Sequence, residues 1–463
     1  MNPALAAVLY SVLILGLFWL DRDRKVRTSP ALLIPIAWLL IVGSRPVSEW
    51  MNAGTEVFLT QNLEGSPLDA SVFGFLVAAG LVVLIKRKKK VMPFLRANAP
   101  IILFFVYCAL STIWADNTFV ALKRWIKAIG DLTMILVVLT DANPLAAMKR
   151  FLTHTGFLLI PLSILFIKYF PVIGRSYNPW TWEPMYGGVT EFKNLLGMTC
   201  LVCGLGSVWC CADAVRQRKG QDMWRHMAPH AIVALMAVSL FFTADSKTSL
   251  SCFMMGSALI VVPTLSRSMR RPEMMHLLAF GAVGLSLVAL FLPSSGLVES
   301  LGRDATLTGR TNIWAAALSQ VTNPMLGAGF ESFWTGTRLE RIWVLIKEPG
   351  IQEAHNGYIE VFLNLGWVGV ALLSSIIVAG YASASKLVRR DSPAGIIRVA
   401  LCVVGVIYSC TEAGFRMMSV SWISFLLAST ALPRVKVKKT AEATSNRSTE
   451  LVPAEVPAHA KCF

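Results

Sequence analysis

Apolar runs long enough to cross a bilayer recur along most of the chain, at about 3–20, 29–44, 67–85, 99–114, 126–141, 151–170, 192–212, 229–243, 248–265, 276–293, 357–381, 395–410 and 417–432. A hydrocarbon layer about 30 Å thick takes roughly 20 helical residues to cross, so each run fits one helix. Apolar residues make up 55% of the 463, and mean hydropathy is +0.59. That is too oily for a soluble domain. The expectation is an all-α polytopic membrane protein with about 12–13 transmembrane helices.

The formal net charge of +16 does not point to nucleic acid, because the basic residues fall in short clusters between the apolar runs. These are 21–27, 86–90, 149–150, 216–219, 267–271, 386–390 and 434–439. They occupy alternate loops, the mark of the cytoplasmic side. Four regions follow: N-terminal membrane helices over 1–293, an exoplasmic loop over 294–356, C-terminal membrane helices over 357–433, and a tail over 434–463. The tail is rich in Ala, Thr, Ser, Glu and Pro beyond Thr440 and reads as disordered in the cytoplasm. No basic stretch precedes the first apolar run, so that run reads as a retained span. No internal repeat is visible. Eight of the nine cysteines lie inside apolar runs, which implies no disulfide framework, and Cys200-Leu-Val-Cys203 reads as a pair of small buried hydrophobes.

The opposite face carries loops at about 45–66, 115–125, 171–191, 244–247, 294–356 and 411–416. In the longest, Ile313, Trp314, Ala317, Leu318 and Val321 follow helical spacing and predict an amphipathic helix over the membrane, stopped by Asn323-Pro324. The loop at 171–191, with Asn178-Pro179, Trp180 and Trp182, suits the interface.

This topology puts His154, His226, His230, His276 and His459 on or near the cytoplasmic side and leaves His355 outside. Asn356 is a good N-cap and Gly357 permits a sharp entry, so the imidazole of His355 falls at the positive end of a helix dipole. That position disfavours imidazolium, and a neutral imidazole can take a proton from a hydroxyl. Glu353, Glu360 and Glu412 are candidate orienting partners. Cations on the same face, against the usual loop bias, are Lys123, Arg124, Lys127, Arg175, Lys193, Lys247 and Arg310. Interfacial snorkelling accounts for any one alone. A converging set fits an anionic partner, and a guanidinium fork binds phosphate oxygens in pairs, which favours Arg175 and Arg310, then Lys193. With no phosphate-binding glycine loop, HExxH or Cys/His metal cluster, no metal or cofactor is expected, and Asp21-Arg-Asp23 reads as a solvated helix end.

The chain resembles the O-antigen ligase and polymerase superfamily, particularly its exopolysaccharide-production branch. The motifs are Thr190-Glu-Phe-Lys-Asn-Leu-Leu-Gly197, Asp245-Ser-Lys-Thr-Ser249, Gly309-Arg-Thr-Asn-Ile-Trp314, Pro324-Met-Leu-Gly-Ala-Gly-Phe330, His355-Asn-Gly-Tyr358 and Leu365-Gly-Trp-Val-Gly369. The resemblance implies a GT-C-like membrane glycosyltransferase, which with the missing metal motifs is expected to be metal-independent. Such an enzyme takes glycan from an undecaprenyl-pyrophosphate donor onto an acceptor sugar at the periplasmic face of the bacterial inner membrane. It also implies arginines on the pyrophosphate and a loop histidine on the acceptor hydroxyl. Arg310 and His355 match motif positions; Arg175 and Arg124 match by location, with Lys193 assisting. Expected partners are the lipid-linked oligosaccharide, the acceptor glycan, membrane lipids and polysaccharide export or chain-length proteins. The expected function is a polysaccharide polymerase of exopolysaccharide biosynthesis; the alternatives are an O-antigen ligase acting on lipid A core, a lipid-linked saccharide flippase and a non-catalytic assembly scaffold.

Overall fold

The computed structural model describes residues 2–23, 26–51, 66–177, 182–217, 219–266, 268–291 and 308–433. Every apolar run read above falls on a helix. The expectations for the tail, for Asn178-Pro179 and Trp180, and for most of the loop at 45–66 lie outside the described residues.

The helices are α1 (Pro3–Asp21), α2 (Leu33–Val42), α3 (Val47–Met51), α4 (Pro67–Lys86), α5 (Lys88–Ala97), α6 (Ala99–Ser111), α7 (Thr118–Leu139), α8 (Pro144–Tyr169) and α9 (Pro171–Gly174). A two-stranded antiparallel ribbon follows, β1 (Arg175–Tyr177) and β2 (Pro184–Tyr186). Then come α10 (Lys193–Gln217), α11 (Gly220–Thr243), α12 (Lys247–Leu265), α13 (Pro272–Phe291), α14 (Thr308–Ser319), α15 (Gly336–Ile346), α16 (Gly357–Arg389), α17 (Pro393–Tyr408) and α18 (Val420–Ser429). Among the described residues, seven helices are long and apolar enough to cross a membrane, and an eighth crossing is available if the pair bent by 88° at residues 97–99 counts as one. Four shorter apolar helical stretches, Pro30–Val42, Pro272–Val288, Pro393–Tyr408 and Val420–Ser429, accompany them. The protein is therefore an all-α, multi-pass membrane protein, with Met1–Leu432 as one compact unit.

Ion pairs sort the molecule into two poles. At one, Arg87 lies 3.5 Å from Asp141, and Arg150 donates to the Val26 carbonyl at 2.8 Å. Lys149 pairs with Asp213, and Arg216 lies 2.7 Å from Asp391, which Arg270 approaches at 3.9 Å. His154 and His230 each lie 3.1 Å from Asp21. Among the described residues, members of five of the basic clusters that the sequence sends to one side, 21–27, 86–90, 149–150, 216–219 and 267–271, thus find partners there. Helices α8 and α10 run from this pole to the other, where Arg45 donates to the Ile173 and Thr190 carbonyls beside the β1–β2 ribbon.

Two features position the second pole. First, α7 is buried over Ala128 and from Gly130 to Leu139, and within this stretch Asp131 accepts from the Trp38 indole N–H and the Met418 amide, each at 2.9 Å. A carboxylate inside the bundle persists only when paired in this way, and it ties the segment before α18 to the core. Second, α16 is not one continuous span. It breaks at Gly366, whose φ of +62° only glycine adopts without strain. The freed carbonyls are met from outside: Ala328 and Gly329 amides donate to Leu363 and Asn364 carbonyls at 3.0 and 2.9 Å, and the Tyr107 hydroxyl donates to Leu365 at 3.0 Å. Gly327 lies so close that a Cβ would stand 2.5 Å from the Asn364 carbonyl. The glycines of the 324–330 motif are therefore fitted to the break, which leaves a short outer segment, 357–365, above a long one.

The segment 308–356 packs on that outer part. Ile313, Ala316 and Ala317 of α14 are buried, and the two alanines join a small core with Phe333, Ile342, Ala354 and Leu363. The helix expected from sequence at this place forms. The strongly amphipathic α15 beside it escapes the sequence reading.

Candidate active site

His355 sits at the junction of this small core and the outer part of α16. As the sequence predicts, Asn356 caps the helix, its Oδ1 accepting from the amides of Tyr358 and Ile359 at 3.0 and 3.1 Å. The Gly357 amide donates to the carbonyls of Ser409 and Glu412, at 2.8 and 3.0 Å, and Asn356 Nδ2 donates to Cys410 at 3.0 Å. The segment between α17 and α18 is thereby locked against the residues that follow His355. Those that precede it are held too. The Ala354 amide donates to Glu360, and the Ala354 carbonyl accepts from the Trp314 indole at 2.7 Å. His355 itself has φ +50°, the left-handed region, so the clamp fixes an uncommon backbone geometry.

Around the imidazole, acids and bases alternate. His355 Nδ1 lies 2.8 Å from Glu353 Oε1 and 3.7 Å from Glu412 Oε2. Glu412 Oε1 pairs with Arg310 Nη2 at 2.9 Å, and Arg310 also donates to the Thr411 carbonyl. Asn194, at the start of α10, donates to Glu412 Oε2 at 3.5 Å. On the other arm, Arg416 Nη1 lies 3.6 Å from Glu353 Oε2 and its Nε 3.6 Å from Glu331 Oε2. Arg124 on α7 donates to the Glu331 carbonyl.

One expectation is reversed here. Burial alone would lower the pKa of His355, as would the helix N-terminus, but the two carboxylates outweigh both and push it up to about 9. A helix terminus contributes about 0.3–1 kcal/mol, less than the roughly 1.4 kcal/mol of a single pKa unit; close opposite charges shift a group by more. At neutral pH the resting imidazole is therefore mostly protonated, not neutral. Glu353 moves the complementary way: burial pushes it up, and His355, Arg416 and Arg310 bring it below its ordinary value.

The ligand atoms of Glu353, His355 and Glu412 lie within 4.8 Å of one another, a spacing that could hold a cation. Arg310 and Arg416 already pair with both carboxylates, and their positive charge opposes a divalent ion at that point.

Of the cations singled out from sequence, Arg310 and Arg124 are in this set. Lys193 opens α10 next to Asn194. Arg175 is engaged elsewhere, its Nε donating to the Ile167 carbonyl at 2.8 Å and its guanidinium over the Tyr186 ring. The sequence reading misses Arg416, Glu331 and Asn194. Arg416 falls in the same short loop as Glu412.

The family model described as O-antigen ligase matches residues 231–374, a stretch that includes Arg310, Glu331, Glu353 and His355 and ends before Glu412 and Arg416. The chain is similar to the exopolysaccharide production protein ExoQ of Rhizobium meliloti (strain 1021), at 23% identity over 300 residues. That alignment takes in 62% of this chain and spans 66% of the length of the relative.

Proposed function

We propose that the chain, whose residues 231–374 match the family model described as O-antigen ligase, is a polysaccharide polymerase of exopolysaccharide production. It transfers glycan from an undecaprenyl-pyrophosphate donor to a sugar hydroxyl at the periplasmic face of the inner membrane. The observation that carries this reading is that Arg310 and His355 converge on the two oxygens of one carboxylate, Glu412. The name of the relative, an exopolysaccharide production protein, supports a role in exopolysaccharide production, and the gathering of basic clusters at the pole away from His355 supports the orientation.

In the transfer, the acceptor oxygen bonds to the anomeric carbon while the bond from that carbon to the phosphate oxygen breaks. The diphosphate leaves with the electron pair, and the hydroxyl proton passes to His355. Arg310 holds the diphosphate, a good leaving group once its charge is met, with Lys193 and Arg124 adding positive field. Arg175, tied to the ribbon, stands outside this set. The Glu353 and Glu412 carboxylates make His355 a stronger base but keep its free form scarce, about one part in a hundred at neutral pH.

The test is chain extension by purified protein given the lipid-linked repeat unit. His355→Ala, with an unchanged thermal unfolding profile, should abolish it; wild-type extension by that variant would remove the assigned role. The ligase reading, which the family description favours, predicts instead that a deletion strain lacks glycan on lipid A core while still secreting polymer.

A further inference from the structure

We propose that Arg416 is the second guanidinium that receives the diphosphate of the donor, facing Arg310 across His355. This rests on the reading of Arg310 and His355 given above and adds a binding residue that the family match does not reach.

The geometry is nearly symmetrical about the imidazole. Glu353 offers one oxygen to His355 and the other to Arg416, and Glu412 does the same for His355 and Arg310. Each guanidinium is one carboxylate away from the ring. The two differ in how firmly they are held. Arg310 has a 2.9 Å ion pair and a bond to the Thr411 carbonyl, and its side chain is 26% exposed. Both ion pairs of Arg416 are 3.6 Å long, beyond the usual reach of a charge-assisted hydrogen bond, and its side chain is 43% exposed. Its donors therefore have room to turn toward an incoming anion.

Its backbone has no such freedom. The segment 409–418 is pinned by Gly357 at one end and by Asp131 at the other, so the guanidinium swings from a fixed base. It lines a cleft with Glu331 and Glu360 on the polar side and Phe104, Phe330 and Phe415 on the apolar side. An anion that displaced Glu353 from Arg416 and Glu412 from Arg310 would leave no guanidinium unpaired, and both freed carboxylates already have His355 as partner. A single phosphate satisfies one arm. A diphosphate has an anionic group for each.

The experiment measures binding of farnesyl diphosphate and farnesyl monophosphate to the full-length protein in nanodiscs. Arg416→Ala should weaken the diphosphate by about 10–100-fold and the monophosphate by less than about threefold, with Arg416→Lys recovering part of the loss. If Arg416→Ala keeps wild-type affinity while Arg310→Ala loses it, Arg416 is not a donor ligand and the role of Arg310 stands. If neither substitution changes affinity, the reading of the whole site falls with it. Glu331→Gln serves where Arg416→Ala does not fold. It frees Arg416 from one competitor, so it should tighten the diphosphate about threefold or more, and unchanged or weaker binding would overturn the proposal.

Discussion

Arg310 and His355 share Glu412, the guanidinium 2.9 Å from one oxygen and the ring nitrogen 3.7 Å from the other. Two residues 45 positions apart in the chain are thus coupled through a third that lies beyond the matched domain. Glu412→Gln should uncouple them. The expected result is a loss of about 10–100-fold in transfer and roughly 1–3 kcal/mol in stability, because Arg310 is left partly buried without its counter-charge. Thermal unfolding and initial rates of the purified variant check both.

The pH dependence has a definite sign. His355 acts as base only when deprotonated, and its pKa is pushed up to about 9. Thus kcat/KM should rise about tenfold per pH unit from pH 6 and level off near 9. Glu353→Gln removes the nearer carboxylate and should bring the plateau down toward about 6.5. A profile that is flat between 6 and 9 in the wild type would exclude His355 as the titrating base. The same shift makes the His355 contacts stabilising below about 6.5 and progressively lost as pH rises through 9.

Asp131 has two donors aimed at it from different elements, Trp38 and the Met418 amide. Asp131→Leu strands both in an apolar interior. The expected cost is about 2–4 kcal/mol, with the segment 409–418 losing protection in hydrogen exchange before the helices do. Loss of protection spread evenly over the protein would count against this local role.

Gly366→Ala places a methyl group against the Met325 carbonyl at a backbone angle of +62°. It should cost more than about 1 kcal/mol and lower the yield of folded protein. Gly281→Ala, in α13 with no atom within 4 Å of the added carbon, is the matched control and should be neutral or slightly stabilising.

What could be read from the sequence divides along a physical line. The apolar runs locate the helices because membrane burial leaves the chain little choice at that length, and the N-cap of Asn356 is a local rule that holds locally. His355 and Arg310 emerge because loop sidedness separates them from similar residues. The charge state of His355 misleads because the sequence reading weighs the helix terminus and takes Glu353 and Glu412 only as orienting partners, whereas the fold brings their oxygens to 2.8 and 3.7 Å from the ring nitrogen. Arg416 escapes because, beside Phe415 and Met417, it looks like any interfacial arginine. The break at Gly366 lies hidden inside a continuous apolar run, and only the fit of Pro324–Phe330 into it explains both glycine motifs.

That break also bears on how the protein meets its lipid environment. A span of about 23 residues below Gly366 is roughly 35 Å long, enough to tilt as bilayers thicken or thin. Were α16 a single rod, such tilting would sweep its tip, and with it the imidazole, sideways over the leaflet. Because the carbonyls above the break are held by neighbouring backbone, the lower segment is uncoupled from the tip, and the reactive geometry is insulated from membrane thickness.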